Sequence, residues 1–485
     1  MVIITNWNQN QNDELELAQI VNQETGEVLT MNDLLTSEER EIYVDKLDIF
    51  SFYFLHFLFE HKFKSVAELN QIKEKSVYAS INSGNCNSMI FKYQNIKKTL
   101  YNFEKKFGVE FGEFEENQKL IDYAHEHNRN ATSIGADAYN EFIHTIFRPK
   151  KNPNANKKLM RVDFPILNSK LLEKAKKYVC GFQFYTKGNF ENVIDYDQSS
   201  AYPSQLLCST PTGAPVSDIK DFNKIPRNYW YVAKVFYMNI ELKTGFDWLD
   251  LKKCKNSGYL YLTKELHELF LTSYECSSKV VEFVTFKTIC HRFDKFIDQT
   301  IIKGKINKSD KAISRYNKNV CNALIGYLGR NTAVESISFS KDGENWLYKR
   351  KELKRDPLYL PVYLFAIGKQ KSEFIKTINQ FKDSIIYANT DGFISTKKLN
   401  IDFMNYRFSS ELGKFREKQQ YQKLYIKTIN GYAGLTSAGE LDNTIAGMTL
   451  DRLITPQEYE SGEYSSVIQS VTKNLTIKRQ RIWYY

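Results

Sequence analysis

The chain has 485 residues, 42% of them hydrophobic and 14% aromatic, which excludes a disordered polymer and leaves room for roughly two to four domains with cores of their own. Lys and Arg number 67 against 57 Asp and Glu, a formal charge of +10; that excess suits a partner rich in phosphates, although many other proteins share it. No run of about 18 apolar residues occurs, so no membrane-spanning helix and no membrane partner are expected.

The opening "MVIITNWNQNQNDELELAQ" has no basic segment followed by an apolar core, so it does not read as a secretory signal. Seven Cys are scattered without a C-x-x-C pair, which fits reduced thiols in a cytoplasmic protein rather than disulfides or zinc. Residues 1–150 read as a mostly helical N-terminal domain, with "IFSFYFLHFLF" (49–59) as a buried helix. The basic, Pro- and Asn-bearing "RPKKNPNANKK" (148–158) marks a boundary. From about residue 160 strands and helices alternate, an α+β texture. "VIDYDQSSAYPSQLL" reads as a strand, a turn and a helix start. "TIIKGKINKSDKAISRYNKNVCNALIGYL" reads as a basic helix or helix pair. "SISFSKDGENWLYKR" predicts a hairpin about Asp342-Gly343, and "DSIIYANTDGFIST" a second one with a polar tip.

Four short stretches carry residue types that nucleotidyl transfer needs. That chemistry requires carboxylates from separate strand ends to hold two divalent cations, and positive charge for the leaving pyrophosphate. Asp197 ends the strand of "VIDYD"; Ser199 and Ser200 open a helix whose backbone can donate to phosphate, and Tyr202 can lie under a sugar. Lys318 and Asn322 are four apart on one helix face, preceded by Lys303, Lys305, Lys308, Lys311 and Arg315. Asp391 sits in "YANTDG" at the second hairpin tip, and Lys423 in a later K-x-Y. Each has a plain structural reading too: a capped helix start, a solvated basic helix, a turn, a surface lysine on a strand.

Their order and spacing resemble motifs A, B and C and the late K-x-Y element of family B DNA polymerases. The resemblance is to the protein-primed branch of phages and linear plasmids. It extends to "FPILNSKLLEKAKKYVCGF" (164–182), similar to that branch's template-binding segment and Y-x-G-G element with Cys180 for the first Gly. It also extends to "DPLYLP" (356–361), "AGMT" (446–449) and the junction-like "SIGADAYNEF" (133–142).

The resemblance implies a right-hand polymerase of palm, fingers and thumb that replicates a linear phage or plasmid genome. Its partners would be a DNA template-primer, dNTPs and a terminal priming protein, and its cofactors two Mg²⁺ or Mn²⁺ ions. Asp197 and Asp391 would be the metal ligands, Tyr202 the sugar gate, and Lys318 and Asn322 the contacts to the incoming nucleotide, with Lys303 and Lys305 nearby. Lys423 would reach the phosphates or primer end, and Ser169, Tyr178, Gly181, Gly326 and Tyr425 would touch DNA. The implied domains are 1–150 (a reduced or replaced exonuclease region), 151–300 (palm with a terminal-protein-type insertion), 301–332 (fingers), 333–400 (hairpin and second part of palm) and 401–485 (thumb).

Three departures bear on activity. Asn389 stands for the first acid of D-T-D and Gly392 for the usual Ser, leaving a turn that reads as catalytic but altered. Ile325 stands where the branch has a Tyr near the new base pair. The exonuclease carboxylates are not visible: Asp13, Glu14 and Glu16 lack a preceding strand in this reading, and Tyr123 is followed four later by His127 rather than Asp. No 3′–5′ proofreading is therefore expected. A template-independent or protein-priming nucleotidyltransferase of the same fold, as in antiviral defence, and a DNA-binding relative that lost turnover are the competing readings. A reverse transcriptase would need Y-x-D-D, which residues 387–392 do not supply.

Overall fold

The computed structural model describes residues 1–9, 15–47, 50, 53, 54, 57, 78–82, 85–93, 96–131, 133–146, 164, 165, 167, 169–302, 310–329, 333–339, 346–352, 359–405, 412–445, 448–450, 452–462 and 466–468. Among its described residues the N-terminal part is not mostly helical. Seven strands, β1 (Val2–Gln9), β2 (Leu15–Asn22), β3 (Val28–Leu29), β4 (Glu41–Val44), β5 (Tyr78–Asn82), β6 (Asn85–Tyr93) and β7 (Ile96–Asn102), form one sheet in the order β3-β2-β1-β4-β7-β6-β5. β4 runs parallel to β1 and β7, and the other neighbours are antiparallel. Its core joins Ile3, Ile20, Ile42, Val44 and Leu100 to Leu34, Leu35, Leu47, Phe50 and Phe54. The strands are rich in Asn, Gln, Lys and Thr and lack clean alternation, so their pattern is weak in isolation and the sheet pairing itself decides the state. β1 also precedes residues 10–14, so the acids Asp13 and Glu14, themselves outside the described residues, do follow a strand.

Below this sheet, helices Phe114–Glu126 and Ile134–Ile146 pack on a long helix, Lys311–Leu328. A buried ion pair joins Lys106 to Asp137 there, with Lys106 Nζ also donating to the carbonyls of Arg129 (2.7 Å) and Ala131 (2.6 Å). Asp137 accepts in addition from the Ala131 amide at 2.7 Å. Removing one partner strands a buried charge. Asp137→Ala is expected to cost about 3–5 kcal/mol in denaturant unfolding, and pairing it with Lys106→Met to recover much of that loss.

The centre of the molecule is an antiparallel seven-stranded sheet. Its strands are β8 (Gln183–Tyr185), β9 (Gly188–Gln198), β16 (Ile385–Asn389), β17 (Gly392–Ser395), β18 (Phe415–Thr428), β19 (Gly431–Thr436) and β20 (Leu441–Ile445), in the order β20-β19-β18-β9-β17-β16-β8. Successive side chains of a strand point to opposite faces. Ile194, Tyr196, Ala388, Phe393 and Phe415 join the main core, where helix Leu360–Ile378 packs. Val193, Tyr387, Ile394, Tyr421 and Tyr432 form a second cluster on the other face. Asp195 and Asp197 alternate in step with Val193, so they lie on the face away from that helix.

Between β9 and Lys311 the chain builds a further sheet, β10 (Thr210–Thr212), β11 (Trp230–Leu242), β12 (Ser257–Thr263) and β13 (Tyr274–Ile289), ordered β10-β13-β11-β12. Strands β14 (Ala333–Phe339) and β15 (Trp346–Glu352) pair as the expected hairpin. Its turn, with Asp342-Gly343, lies outside the described residues, as do residues 148–158 and the tail from 469.

Candidate active site

The hairpin β16–β17 closes with Asn389 opposite Gly392, and Gly392 in turn lies opposite Asp197 of β9. The amide of Gln198 donates to the carbonyl of Asp391 at 3.0 Å. Asp197 and Asp391 are thus carried in register by adjacent strands. The turn is tight. Thr390 takes a left-handed φ of 63° and its amide donates to Phe182 O at 2.8 Å. A Cβ at Gly181 would come within 2.7 Å of Thr390 Oγ1, so a glycine is required at that approach. A Cβ at Gly392 would lie 3.2 Å from the carbonyl of Tyr196, which makes the usual Ser a tight fit here.

Electrostatics identify a carboxylate pair without counter-charge enough. Burial first, and then the charge of Asp197, push Asp391 up to about 6, while Lys318 and Lys418 pull it down. Asp195 is likewise pushed up to about 6 by burial, against the pull of Lys418 at 3.3 Å. Arg416 Nη2 stands 3.5 Å from Asp197 Oδ2. Among the described residues no cluster of three or more His, Cys, Asp or Glu is arranged to hold a metal. Two hard carboxylates still fit Mg²⁺, which takes one or two of them and completes its shell with water and substrate phosphates. Asn389 adds no charge: its Oδ1 accepts from Gln183 (3.2 Å) and Thr390 (3.1 Å), and its Nδ2 donates to Tyr387 Oη at 3.3 Å.

Ser200, at a left-handed φ of 51°, starts the short helix Ala201–Gln205. The amide of Ser199 donates to Lys414 O at 2.8 Å, so that backbone group is engaged within the fold. Tyr202 is half-buried beside Asp391 and Tyr363; burial and then Asp391 hold its phenol above the ordinary range. On helix Lys311–Leu328, Lys311, Arg315, Lys318 and Gly326 are exposed and Asn322 half-buried, at spacings that keep them on one stripe. Lys318's charge reaches Asp391, which orients that stripe toward the carboxylates. Ile325, two turns past Lys318 on the same helix, is 1% exposed in the main core.

Other expected site residues lie elsewhere. Ser169 caps helix Lys170–Val179, accepting from Leu172 N, and Tyr178 Oη donates to Tyr259 O at 3.2 Å. Lys423 is exposed on β18 opposite Glu191, seven residues past Arg416 and roughly 20 Å along the strand. Tyr425 is 4% exposed and packs edge-on to Tyr459, so it has no open face for DNA. The K-x-Y pair is therefore not brought to the carboxylates; Arg416 and Lys418 are. Asp195, Arg416 and Lys418 were missed although "DYD" and "REK" show the period of two that puts alternate residues on one face. Lys303 and Lys305 lie outside the described residues.

Residues 99–401 match DNA polymerase type B, organellar and viral. The chain belongs to that family. It is 27% identical over 364 residues to the DNA polymerase of Streptococcus phage Cp-1 and 26% identical over 339 residues to that of Bacillus phage Nf. These matches take in 67% and 61% of this chain but 61% and 58% of the relatives, so the chain spans less than two thirds of their length. Phi29 DNA polymerase complexed with single-stranded DNA superposes with a TM-score of 0.73 at 17% identity, covering 96% of this chain and 94% of that one. Its ternary complex with primer-template DNA and incoming nucleotides gives 0.70 at 17% identity, covering 92% of each. The type B chain therefore has the right-hand polymerase fold. Among the described residues no helix is long and apolar enough to cross a membrane.

Proposed function

We propose that this type B chain is a DNA-directed DNA polymerase that extends a primer 3′-end with dNTPs, using Asp197 and Asp391 to hold two divalent cations, Mg²⁺ or Mn²⁺. The observation that carries the proposal is the in-register carboxylate pair on β9 and the β16–β17 turn, faced by the cationic stripe of helix Lys311–Leu328. When bound, the cations supply activation of the 3′-hydroxyl and neutralise charge gathering on the triphosphate. The protein's own part is placement. Lys318 presents a point charge to the phosphates, Asn322 lies one turn on, and Tyr202 bounds the sugar side so that a 2′-hydroxyl is disfavoured. Arg416 and Lys418 offer positive charge to DNA or to the pyrophosphate beside the acids.

Protein priming follows from the motif resemblance and from two segments that suit it, the inserted sheet β10–β13 and the β14–β15 hairpin. A terminal protein is the proposed partner and a linear phage or plasmid genome in a host cytosol the proposed template. Absence of proofreading is proposed on the make-up of the N-terminal sheet: β1 carries Asn6 and Asn8 on its exposed side and no acid at all. Hydrolysis by two metals cannot proceed on amides in place of carboxylates. A 5′-labelled single strand incubated with the protein and Mg²⁺ is expected to stay at full length, and shortening from its 3′-end would contradict this.

The polymerase reading is tested with a labelled primer on a longer template, four dNTPs and either metal. Extension to the template end is expected. Addition that is equally fast on the unannealed primer would favour the template-independent alternative, and no addition by a folded, DNA-binding protein, even with a terminal protein supplied, would favour the inactive one.

A further inference from the structure

Beneath the two acids read as the metal-binding pair, two glutamines are buried. Gln370, on the buried side of helix Leu360–Ile378, is 0% exposed, and Gln198, the residue after Asp197, is 2% exposed. Gln370 Nε2 donates to Gln198 Oε1 at 3.2 Å and to the carbonyl of Thr390 at 3.1 Å. Gln198 Nε2 passes the chain on to Gly413 O at 2.8 Å. Gly413 in turn donates its amide to Ser199 O, two residues before β18 begins. Two side-chain amides in series thus tie the end of β9, the turn bearing Asp391 and the loop leading to Arg416.

The orientation of Gln370 is set by this chemistry. Thr390 O can only accept, so the amide nitrogen must face it, and Gln370 Oε1 is left without a hydrogen-bond partner. That buried, unpaired acceptor is a cost to the fold; an apolar side chain would remove it while leaving Gln198 Oε1 and Thr390 O without this donor. What such a side chain cannot do is hold the Thr390 carbonyl. That carbonyl belongs to the peptide linking Thr390 to Asp391, and Thr390 already has a left-handed φ. Fixing it fixes the rotation of the peptide that aims the Asp391 side chain, in a turn where Asn389 adds no charge to draw in a cation.

We propose that Gln370, acting through Gln198 and the Thr390 carbonyl, is a positioning residue that sets the separation of Asp197 and Asp391. This rests on the reading of those two acids as the metal-binding pair. Gln370→Leu is expected to fold, to bind Mn²⁺ about tenfold more weakly, and to lower kcat about tenfold with the KM for dNTP unchanged. A purely structural role would move the melting temperature and leave metal affinity alone.

The experiment is titration of the full chain with Mn²⁺, following free Mn²⁺ by electron paramagnetic resonance without DNA or dNTP, beside thermal melts. It compares wild type, Gln370→Leu, Gln198→Leu and Asp391→Asn. Gln198→Leu breaks the same relay from a different element, and should weaken Mn²⁺ binding in the same direction should Gln370→Leu fail to fold. If Asp391→Asn weakens binding and the folded glutamine variants bind as wild type, this inference is overturned and the metal reading survives. If Asp391→Asn also binds as wild type, both are overturned.

Discussion

Asp391→Asn is expected to lower templated nucleotide addition by roughly 10³-fold, the equivalent of about 4 kcal/mol of transition-state stabilisation, and at the same time to make the metal-free protein more stable. The two effects share one cause. In the folded protein the carboxyl of Asp391 is pushed up to about 6, by burial and by Asp197, whereas an exposed Asp titrates near 3.9. The folded state therefore holds its proton more tightly than the unfolded chain. Stability contributed by that proton is full below about pH 4 and is lost as pH rises through about 6, so the ionised group opposes folding at neutral pH by an amount on the order of 2 kcal/mol. Asn has no charge to lose. In melts from pH 4 to 8 without divalent cation, wild type should lose more stability across this window than Asp391→Asn. The variant keeps part of the slope, because Asp195 is also pushed up to about 6. Mg²⁺ should raise the wild-type melting temperature and leave the variant's nearly unmoved. Coincident pH curves would show that the fold does not raise the Asp391 carboxyl.

Lys318→Ala should lower kcat/KM for the incoming dNTP by about 10²–10³, the scale seen when one preorganised charge or donor is withdrawn from a developing negative charge. Lys318 is exposed and its charge reaches Asp391, so its removal leaves the helix packing untouched. Stability should stay within about 0.5 kcal/mol of wild type. Arg315→Ala, one turn further along the same stripe, should cost far less. Equal losses from the two variants, measured in steady-state single-nucleotide incorporation, would mean that the stripe acts as a diffuse basic surface rather than through one placed cation.

The candidate site was legible because its residues sit on elements whose local patterns agree with their tertiary setting. "VIDYDQSSAYP" alternates as a strand and breaks where Ser200 turns left-handed, and "YANTDGFIS" is a two-stranded tip with its acid in the turn. The stripe of Lys311, Arg315, Lys318, Asn322 and Gly326 follows directly from helical spacing. The N-terminal sheet was not legible, since its strands are polar and its centre rests on the long-range parallel pairings of β4 with β1 and β7, such as Val2 with Tyr43 and Glu41 with Thr99.

Which cation of β18 faces the acids was a different matter. The K-x-Y pattern is short, and only the register of β18 against β9 tells which of its cations arrives opposite Asp197. That register selects Arg416, with Lys418 beside Asp195. Tyr425 could not be separated from an exposed aromatic without knowing that Tyr459 covers it. Gln370 gave no signal at all, because a glutamine in "FAIGKQKSEF" looks like part of a helix's polar face until the fold closes over it.

If a template chooses what this protein adds, single-nucleotide incorporation will show it. One primer would be annealed to four templates differing only at the first unpaired base, and each offered the four dNTPs separately with Mg²⁺. Addition of the complementary nucleotide is expected on every template, at rates far above the other three, and is expected to be lost in Asp391→Asn. The same nucleotide preference on all four templates, persisting on the primer alone, would contradict it.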